Sequence, residues 1–112
     1  MTKRIDEEKL DSLLLDLGHD DFNRGTAYLR EAVKAYEPGM KMMGDLYPAI
    51  AKAHQTTAGA VERAVRYAIE KAWGRVDYQT QLRFFGHSID PNTGKPKAGE
   101  YVARLARICR EG

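Results

Sequence analysis

The sequence is poor in several residue types and patterns, and each shortage excludes a class of protein. It has one cysteine in 112 residues, Cys109, so an intrachain disulfide and a cysteine-based metal site are both excluded. No stretch approaches the roughly 18 consecutive apolar residues of a membrane-spanning helix, and the first residues lack the apolar core of a secretory signal peptide. We therefore expect a cytoplasmic protein, away from membranes, whose fold is held by packing alone.

The residues and motifs of common catalytic sites are also scarce. The three histidines, His19, His54 and His87, lie in three separate segments. The chain has no glycine-rich phosphate loop and no ligand spacing typical of a metal site. A turn is the simpler interpretation of His19 beside Asp20 and Asp21, and packing or capping is that of His54. We predict no enzymatic activity, no metal and no cofactor.

Strand patterns are missing as well. No segment alternates apolar and polar residues for long enough to predict a sheet, and no internal repeat is present. With 43% hydrophobic and 30% charged residues, residues 1–112 have the composition of a single domain with one core. Apolar residues instead recur at helical spacing. This pattern predicts an all-α bundle of about six helices.

Start and stop signals predict where these helices lie. The acidic start of the chain, residues 1–11, leads into a first helix that is expected to begin after Asp6 and to end at a left-handed Gly18. Asp21 or Asn23 is expected to cap the second helix. The other helices are expected over about residues 24–36, 45–53, 57–73, 78–85 and 98–110, with a flexible lead at 40–44 and a tight turn at 91–94.

The helix predicted from Thr57 to Trp73 has two opposite faces. At about 100° per residue, its apolar side chains fall on one arc and its polar side chains on the other. One face is therefore expected to pack and the other to be free to bind. The apolar arc holds Val61, Ala64, Val65, Ala68, Ile69 and Ala72, and the free arc holds Gly59, Glu62, Arg63, Arg66 and Tyr67.

A shorter apolar segment, residues 46–53, precedes this helix after a few polar residues, which is the outline of a helix-turn-helix. The small Ala51 stands where two crossing helices approach closely, and the branched Val61 and Val65 stand where the angle between them closes. Gln55 occupies the turn position where glycine is often found. On this pattern an ordinary helical hairpin remains the alternative to a DNA-binding motif.

Charge is unevenly spread along the chain, although the net charge is only +2. Residues 1–21 carry three cationic side chains against seven carboxylates. Residues 95–112 carry five cationic side chains against two carboxylates, and residues 56–75 carry four against two. Such asymmetry suits a polyanionic partner, although a run of charge is more often a solvated face.

The long helix and several shorter segments resemble one known family. The matching segments are residues 56–73, Gly25 with 28–32, 46–48 with 50–52, 85–86, and 95–96 with 100–101. Over about residues 12–110, the chain is similar to the C-terminal effector domain of the stage zero sporulation master regulator of endospore-forming bacteria. The resemblance implies about six helices, with the long helix inserted in the major groove of double-stranded DNA, transcriptional regulation, and contact with RNA polymerase.

The resemblance also implies roles for individual residues. Glu62, Arg63, Arg66 and Tyr67 correspond to positions that face DNA in the family. With Gly59 on the same arc, they form the expected base-reading set. Contacts to DNA phosphates are expected from Thr57, Lys71, Arg75, Lys95 and Lys97.

Two positions depart from the family. Ala60 stands where an arginine is usual, and Tyr67 stands where a histidine is usual. Because a bidentate arginine contributes about 1–3 kcal/mol of discrimination at a guanine, we expect the preferred DNA site to be relaxed or changed.

The family's full-length regulators carry a phosphorylatable receiver domain, and this chain has no room for one before its first helix. We expect a freestanding effector domain, which the starting Met1 favours, or an excised one. Two functions stay open: a sequence-specific regulator, and an interaction module that binds RNA polymerase or a full-length regulator without operator recognition. The family acts on tandem sites, which suggests a homodimer on paired half-sites, although no segment has a heptad seam.

Overall fold

Apolar residues at helical spacing form helices in this protein. The structure is a computed structural model, and it describes residues 4–20 and 23–110. The predicted all-α class is confirmed by six α-helices in that part of the chain. A two-stranded antiparallel hairpin pairs Ile89 with Pro96. The elements are α1 (Glu7–Asp16), α2 (Arg24–Ala35), α3 (Tyr47–Ala53), α4 (Ala58–Trp73), α5 (Tyr78–Phe85), β1 (Ile89–Asp90), β2 (Lys95–Pro96) and α6 (Ala98–Arg110).

Side-chain caps fix where four of these helices begin. Asp6, Asn23, Thr57 and Asp77 each have extended backbone and accept a hydrogen bond from the amide three residues later, at 2.8 to 3.1 Å. Such a bond satisfies one of the amides that a first helical turn leaves without a partner. The predicted caps Asp6 and Asn23 are confirmed, whereas the alternative cap Asp21 lies outside the described residues.

The helix ends differ from prediction in two places. The second helix stops at Ala35, and Tyr36 is already extended, because the chain is turning toward the proline at position 38. The flexible lead predicted at 40–44 is wrong in part, since Met42–Leu46 forms a π-helical turn and α3 begins at Tyr47.

The hairpin is an element that the sequence did not predict. Its strands are two residues long, which is too short to produce a visible alternation of apolar and polar side chains. The tight turn predicted at 91–94 is confirmed and joins the two strands.

The core forms where α2, α3 and α6 pack against α4. Its largest buried side chains are those of Tyr47, Phe85 and Tyr101, and the last two rings stack with centroids 4.6 Å apart. On α4, five of the six predicted packing residues are buried and Ala64 is half-buried. The predicted apolar face of this helix is therefore confirmed.

α2 and α4 touch at a glycine. A Cβ added to Gly25 would lie 2.2 Å from the carbonyl oxygen of Ala64, closer than any van der Waals contact permits. Only a residue without a side chain allows this approach, so Gly25 sets how α4 sits on α2.

A buried polar contact joins the loop after α1 to α6. His19 Nε2 and the Tyr101 hydroxyl lie 2.7 Å apart. Burial, with a smaller effect from the charge of Arg75, lowers the pKa of His19 to about 4. Because the imidazole is then neutral at pH 7, it bonds to Tyr101 without carrying a buried charge.

Candidate nucleic-acid interface

The joint between α3 and α4 is a tight turn with a left-handed residue. Gln55 has a φ of 56°, and it is the one non-glycine residue with positive φ within the described ranges. The amide of Thr56 donates back to the carbonyl of Ala51 at 2.9 Å. Glycine suits this position because it has no Cβ and adopts left-handed backbone without steric cost.

His54 ends α3 and ties the joint to α2. Its Nε2 lies 2.6 Å from Glu31 Oε2, and its ring meets the Tyr28 ring edge-on with centroids 5.1 Å apart. Packing or capping is predicted for His54, and the capping alternative is confirmed, because His54 is the C-cap residue of α3 and its side chain is 39% exposed.

Two adjacent rows of side chains cover the outer face of α4, each spaced by four residues. The first row is Gly59, Arg63, Tyr67 and Lys71. The Lys71 ammonium lies 5.9 Å from the centre of the Tyr67 ring, and Tyr67 is 61% exposed. Because positions i and i+4 lie one above the other on a helix, these residues form one strip along α4.

The second row is Glu62, Arg66 and Glu70. Arg66 Nη1 lies 3.4 Å from Glu62 Oε1, and the Arg66 side chain is 55% exposed. Behind this row, burial and the charge of Glu62 raise the pKa of the Tyr47 hydroxyl to about 12. Arg66 and Glu70 are therefore the exposed members of the second row, whereas Glu62 is half-buried near Tyr47 of α3.

The β1–β2 hairpin stands beside the second row and encloses a groove of about 290 Å³ with it. Lys95 Nζ on the hairpin lies 3.9 Å from Glu70 Oε1 on the helix. Four residues predicted to bind DNA from distant parts of the sequence thus line one groove. They are Glu62, Arg66, Lys95 and Lys97.

The hairpin is attached to the end of α4 through Trp73. The indole Nε1 donates to the carbonyl oxygen of Gly94 at 3.0 Å. The other side of the ring system meets Phe85 edge-on, with centroids 5.6 Å apart. The turn of the hairpin is therefore fixed to the helix that carries the two rows.

Thr57 and Arg75, both predicted to bind phosphates, are hydrogen-bonded within the fold. Thr57 Oγ1 accepts the amide of Ala60 as the cap of α4. Arg75 Nη1 lies 2.6 Å from Asp20 Oδ1 and 3.1 Å from the carbonyl of Gly18, in the loop after α1. Arg75 is not among the residues that line the groove.

Sequence reasoning missed Glu70 and Trp73 as residues of this surface. Glu70 continues the four-residue spacing of Glu62 and Arg66, so periodicity contained the signal. Trp73 had no such signal, because its hydrogen-bond partner is 21 residues away on an unpredicted hairpin.

The described part of the chain also shows whether it has a metal site, an accessible thiol or a membrane-spanning helix. Across residues 4–20 and 23–110, no group of three or more histidine, cysteine or carboxylate side chains is placed to hold a metal ion. Cys109 is buried, and burial raises the pKa of its thiol. Among the same residues, no helix is long and apolar enough to cross a membrane.

These features define a class of protein: a helix-turn-helix domain whose second helix presents a polar face next to a cationic hairpin. The chain belongs to the family described as Sporulation initiation factor Spo0A C terminal, which matches residues 10–108. This is a family of DNA-binding effector domains that regulate transcription in sporulation. The resemblance stated from the sequence is therefore confirmed over nearly the whole chain.

Proposed function

We propose that this chain is a sequence-specific DNA-binding regulator of transcription that inserts α4 into the major groove. The observation that carries the proposal is the division of α4 into a buried face and an opposite polar face on which Arg63, Arg66 and Tyr67 are exposed. A helix held by its other face can enter a groove about 12 Å wide without disturbing the core. The family's role in DNA binding supports the same assignment.

The exposed rows supply groups for reading bases. Arg63 and Arg66 would donate to the acceptors of guanine, and Glu62 would accept from the amino group of cytosine. Tyr67 offers an apolar ring and a hydroxyl at the base edges, while Gly59 leaves space for close approach of the backbone.

Phosphates would hold the helix in register on the duplex. Lys71, Lys95 and Lys97 extend from the edges of the exposed surface, and the Thr57 hydroxyl can donate while its oxygen caps α4. Arg75 would bind a phosphate only by leaving Asp20, so we expect it to contribute least.

A selection of bound duplexes from a random pool, followed by Arg66→Ala, tests the proposal. We expect Arg66→Ala to weaken binding to the selected site by about tenfold, since a bidentate contact to guanine contributes about 1–3 kcal/mol. Binding to random DNA should fall much less. Arg83→Ala, which removes an exposed arginine from α5, is the matched control and should leave both affinities unchanged.

Equal losses on the selected and random duplexes would reject base reading by Arg66. Failure to enrich any sequence would reject sequence-specific binding as a whole.

Protein partners are a further part of the proposal. Tyr78 and Leu82 on α5 are 65% and 39% exposed, and apolar side chains in that position support contact with another protein. We propose RNA polymerase as that partner, with a homodimer forming on paired half-sites. Residues 1–112 would act as a single helix-turn-helix domain in the cytoplasm, without enzymatic activity.

The alternative is an interaction module that lacks operator recognition. Ala60 favours this alternative, because it stands where the family usually has an arginine. Titration of labelled promoter DNA at moderate salt separates the two functions. Retention of RNA polymerase or a full-length regulator with no specific DNA shift at micromolar protein would favour the module.

A further inference from the structure

We infer that the β1–β2 hairpin is a second DNA-contacting element, which places Lys95 and Lys97 on the phosphate backbone beside the groove that α4 occupies, and that Trp73 is its positioning residue. This inference rests on the proposed function of α4. It adds the hairpin as a DNA-contacting surface, and it adds Trp73 as the residue that holds the hairpin in place relative to α4.

The hairpin is stiff within itself. Asp90 Oδ1 accepts the amide of Asn92 at 2.8 Å, and the Asp90 carbonyl accepts the amide of Gly94 at 2.8 Å. The Thr93 hydroxyl donates to the carbonyl of Lys95 at 3.0 Å. These bonds hold the backbone from Asp90 to Lys95, and the Lys97 carbonyl accepts the amide of Tyr101 in α6 at 2.9 Å. The backbone at both lysines is therefore bonded to its surroundings and is not part of a loose loop.

Trp73 fixes the hairpin relative to the base-reading residues. It lies in the last turn of α4, the helix that carries Arg63 and Arg66, and it holds the carbonyl of Gly94 at the hairpin tip. The spacing between the helix surface and the lysines is therefore set within one rigid unit. A duplex seated on α4 would meet its phosphates at a predetermined distance.

The charge of the hairpin identifies the ligand chemistry. Lys95 pairs with Glu70 at 3.9 Å, and both side chains are more than one third exposed. Exposed pairs of this length stabilise a fold little, so Lys95 can exchange Glu70 for a phosphate at small cost. Lys97 is exposed at the rim of the same groove. The groove also holds the carboxylates of Glu62, Glu70 and Asp90, and Asp90 accepts the amide of Asn92 within the turn. Two lysines at the rim beside a major-groove helix fit backbone phosphates, which are bound by charge rather than by base identity.

The test measures how the affinity for a random duplex changes with salt in the full chain. The logarithm of the association constant falls with the logarithm of salt by about 0.9 for each phosphate neutralised. Lys95→Gln should reduce that slope by about 0.9, and Lys95→Gln with Lys97→Gln should reduce it by about 1.8. Lys34→Gln is the matched control, because Lys34 is also paired with a glutamate and is 39% exposed against 36% for Lys95.

Trp73→Phe tests the positioning role. Phenylalanine keeps an aromatic ring against Phe85 and removes the N–H that bonds Gly94. We expect a slope reduced by at least about 0.9 while the circular dichroism spectrum is retained. Adding Lys95→Gln to Trp73→Phe should then change the slope by much less than it does in the wild type.

Three results would overturn the inference. A wild-type slope in the double lysine variant would show that the hairpin does not touch phosphates, whether or not Trp73→Phe folds. An undiminished effect of Lys95→Gln in the Trp73→Phe background would remove Trp73 from the positioning role. A wild-type chain that binds no duplex would reject the proposed function together with the hairpin, whereas the first two results leave base reading by α4 intact.

Discussion

Two charged faces of this domain use the same residue types differently. On the face formed by α1 and α2, the paired face, Arg30 lies 2.7 Å from Asp11 and 2.9 Å from Glu7, and Lys34 lies 3.2 Å from Glu7. On the face formed by α4 and the hairpin, the groove face, Arg66 lies 3.4 Å from Glu62 and Lys95 lies 3.9 Å from Glu70.

Arg30 has a structural task in the fold, and we propose that Arg66 is available to a ligand. Hydrogen bonds from Arg30 lower the pKa of both Glu7 and Asp11, and the side chain of Arg30 is only 25% exposed. Arg66 on the groove face is 55% exposed and makes the longer contact. Charge counted from sequence would not separate these arginines, since both stand on amphipathic helices with acidic neighbours.

The largest effect is expected where the two faces join. α2 carries Arg30 and Lys34, and it meets α4 at Gly25. Gly25→Ala would place a Cβ against the carbonyl of Ala64, so the helices must separate. We expect the free energy of unfolding in urea to fall by about 3 kcal/mol, at the upper end for overpacking.

The matched control is Gly74→Ala at the end of α4, where an added Cβ would lie 3.8 Å from its nearest neighbour. Its effect on unfolding should be small. Equal stability of the two variants would show that α2 and α4 do not depend on the contact at Gly25.

A smaller effect is expected from acid. The pKa of His19 is about 4 in the fold and near 6.5 in the unfolded chain, so the unfolded chain binds the proton first as the pH falls. Stability is therefore lost between pH 6.5 and 4, and we expect about 2 kcal/mol of loss between pH 7 and pH 5.

Urea unfolding at pH 7, 6 and 5 measures this loss. The pKa values of Glu7 and Asp11 are lowered in the fold, so their contribution is lost only at more acidic pH. His19→Gln should flatten the dependence, and His87→Gln, which replaces an exposed histidine, is the control. A dependence that persists in His19→Gln would assign it to another group.

The smallest effect separates the two faces directly. Arg30→Gln removes the ion pairs of Arg30 with Asp11 and Glu7 on the paired face, and we expect about 0.5–1 kcal/mol of lost stability with unchanged DNA affinity. Arg66→Ala should show the opposite division, with DNA affinity lost and stability kept. Thermal unfolding measures the stability of both variants, and duplex titration measures their DNA affinity. Loss of DNA binding in Arg30→Gln would show that the paired face also belongs to the DNA interface.

Helix positions and the packing face of α4 could be predicted because they depend on local spacing. The caps Asp6 and Asn23, the buried Val61 and Val65, and the turn at Gln55 all follow from neighbouring residues in the sequence. These features are local, so the sequence alone carries the information.

The hairpin and its attachment could not be predicted because they depend on distant residues. Lys95 and Glu70 are brought together only by the tertiary fold, as are Trp73 and Gly94. Arg75 shows the same limit, since a basic residue after α4 suggested a phosphate contact and the fold places it on Asp20. The base-reading assignments of Arg63 and Arg66 remain predictions.

The left-handed turn at Gln55 has a consequence for the thermodynamics of association. The amides of His54 and Thr56 donate into the last turn of α3, and the side chain of His54 is held by Glu31. The angle between α3 and α4 is thus already ordered before any ligand arrives. A duplex that binds α3 and α4 would not have to order two independently moving helices. Binding would therefore lose less conformational entropy, and more of the free energy of the contacts would remain as affinity.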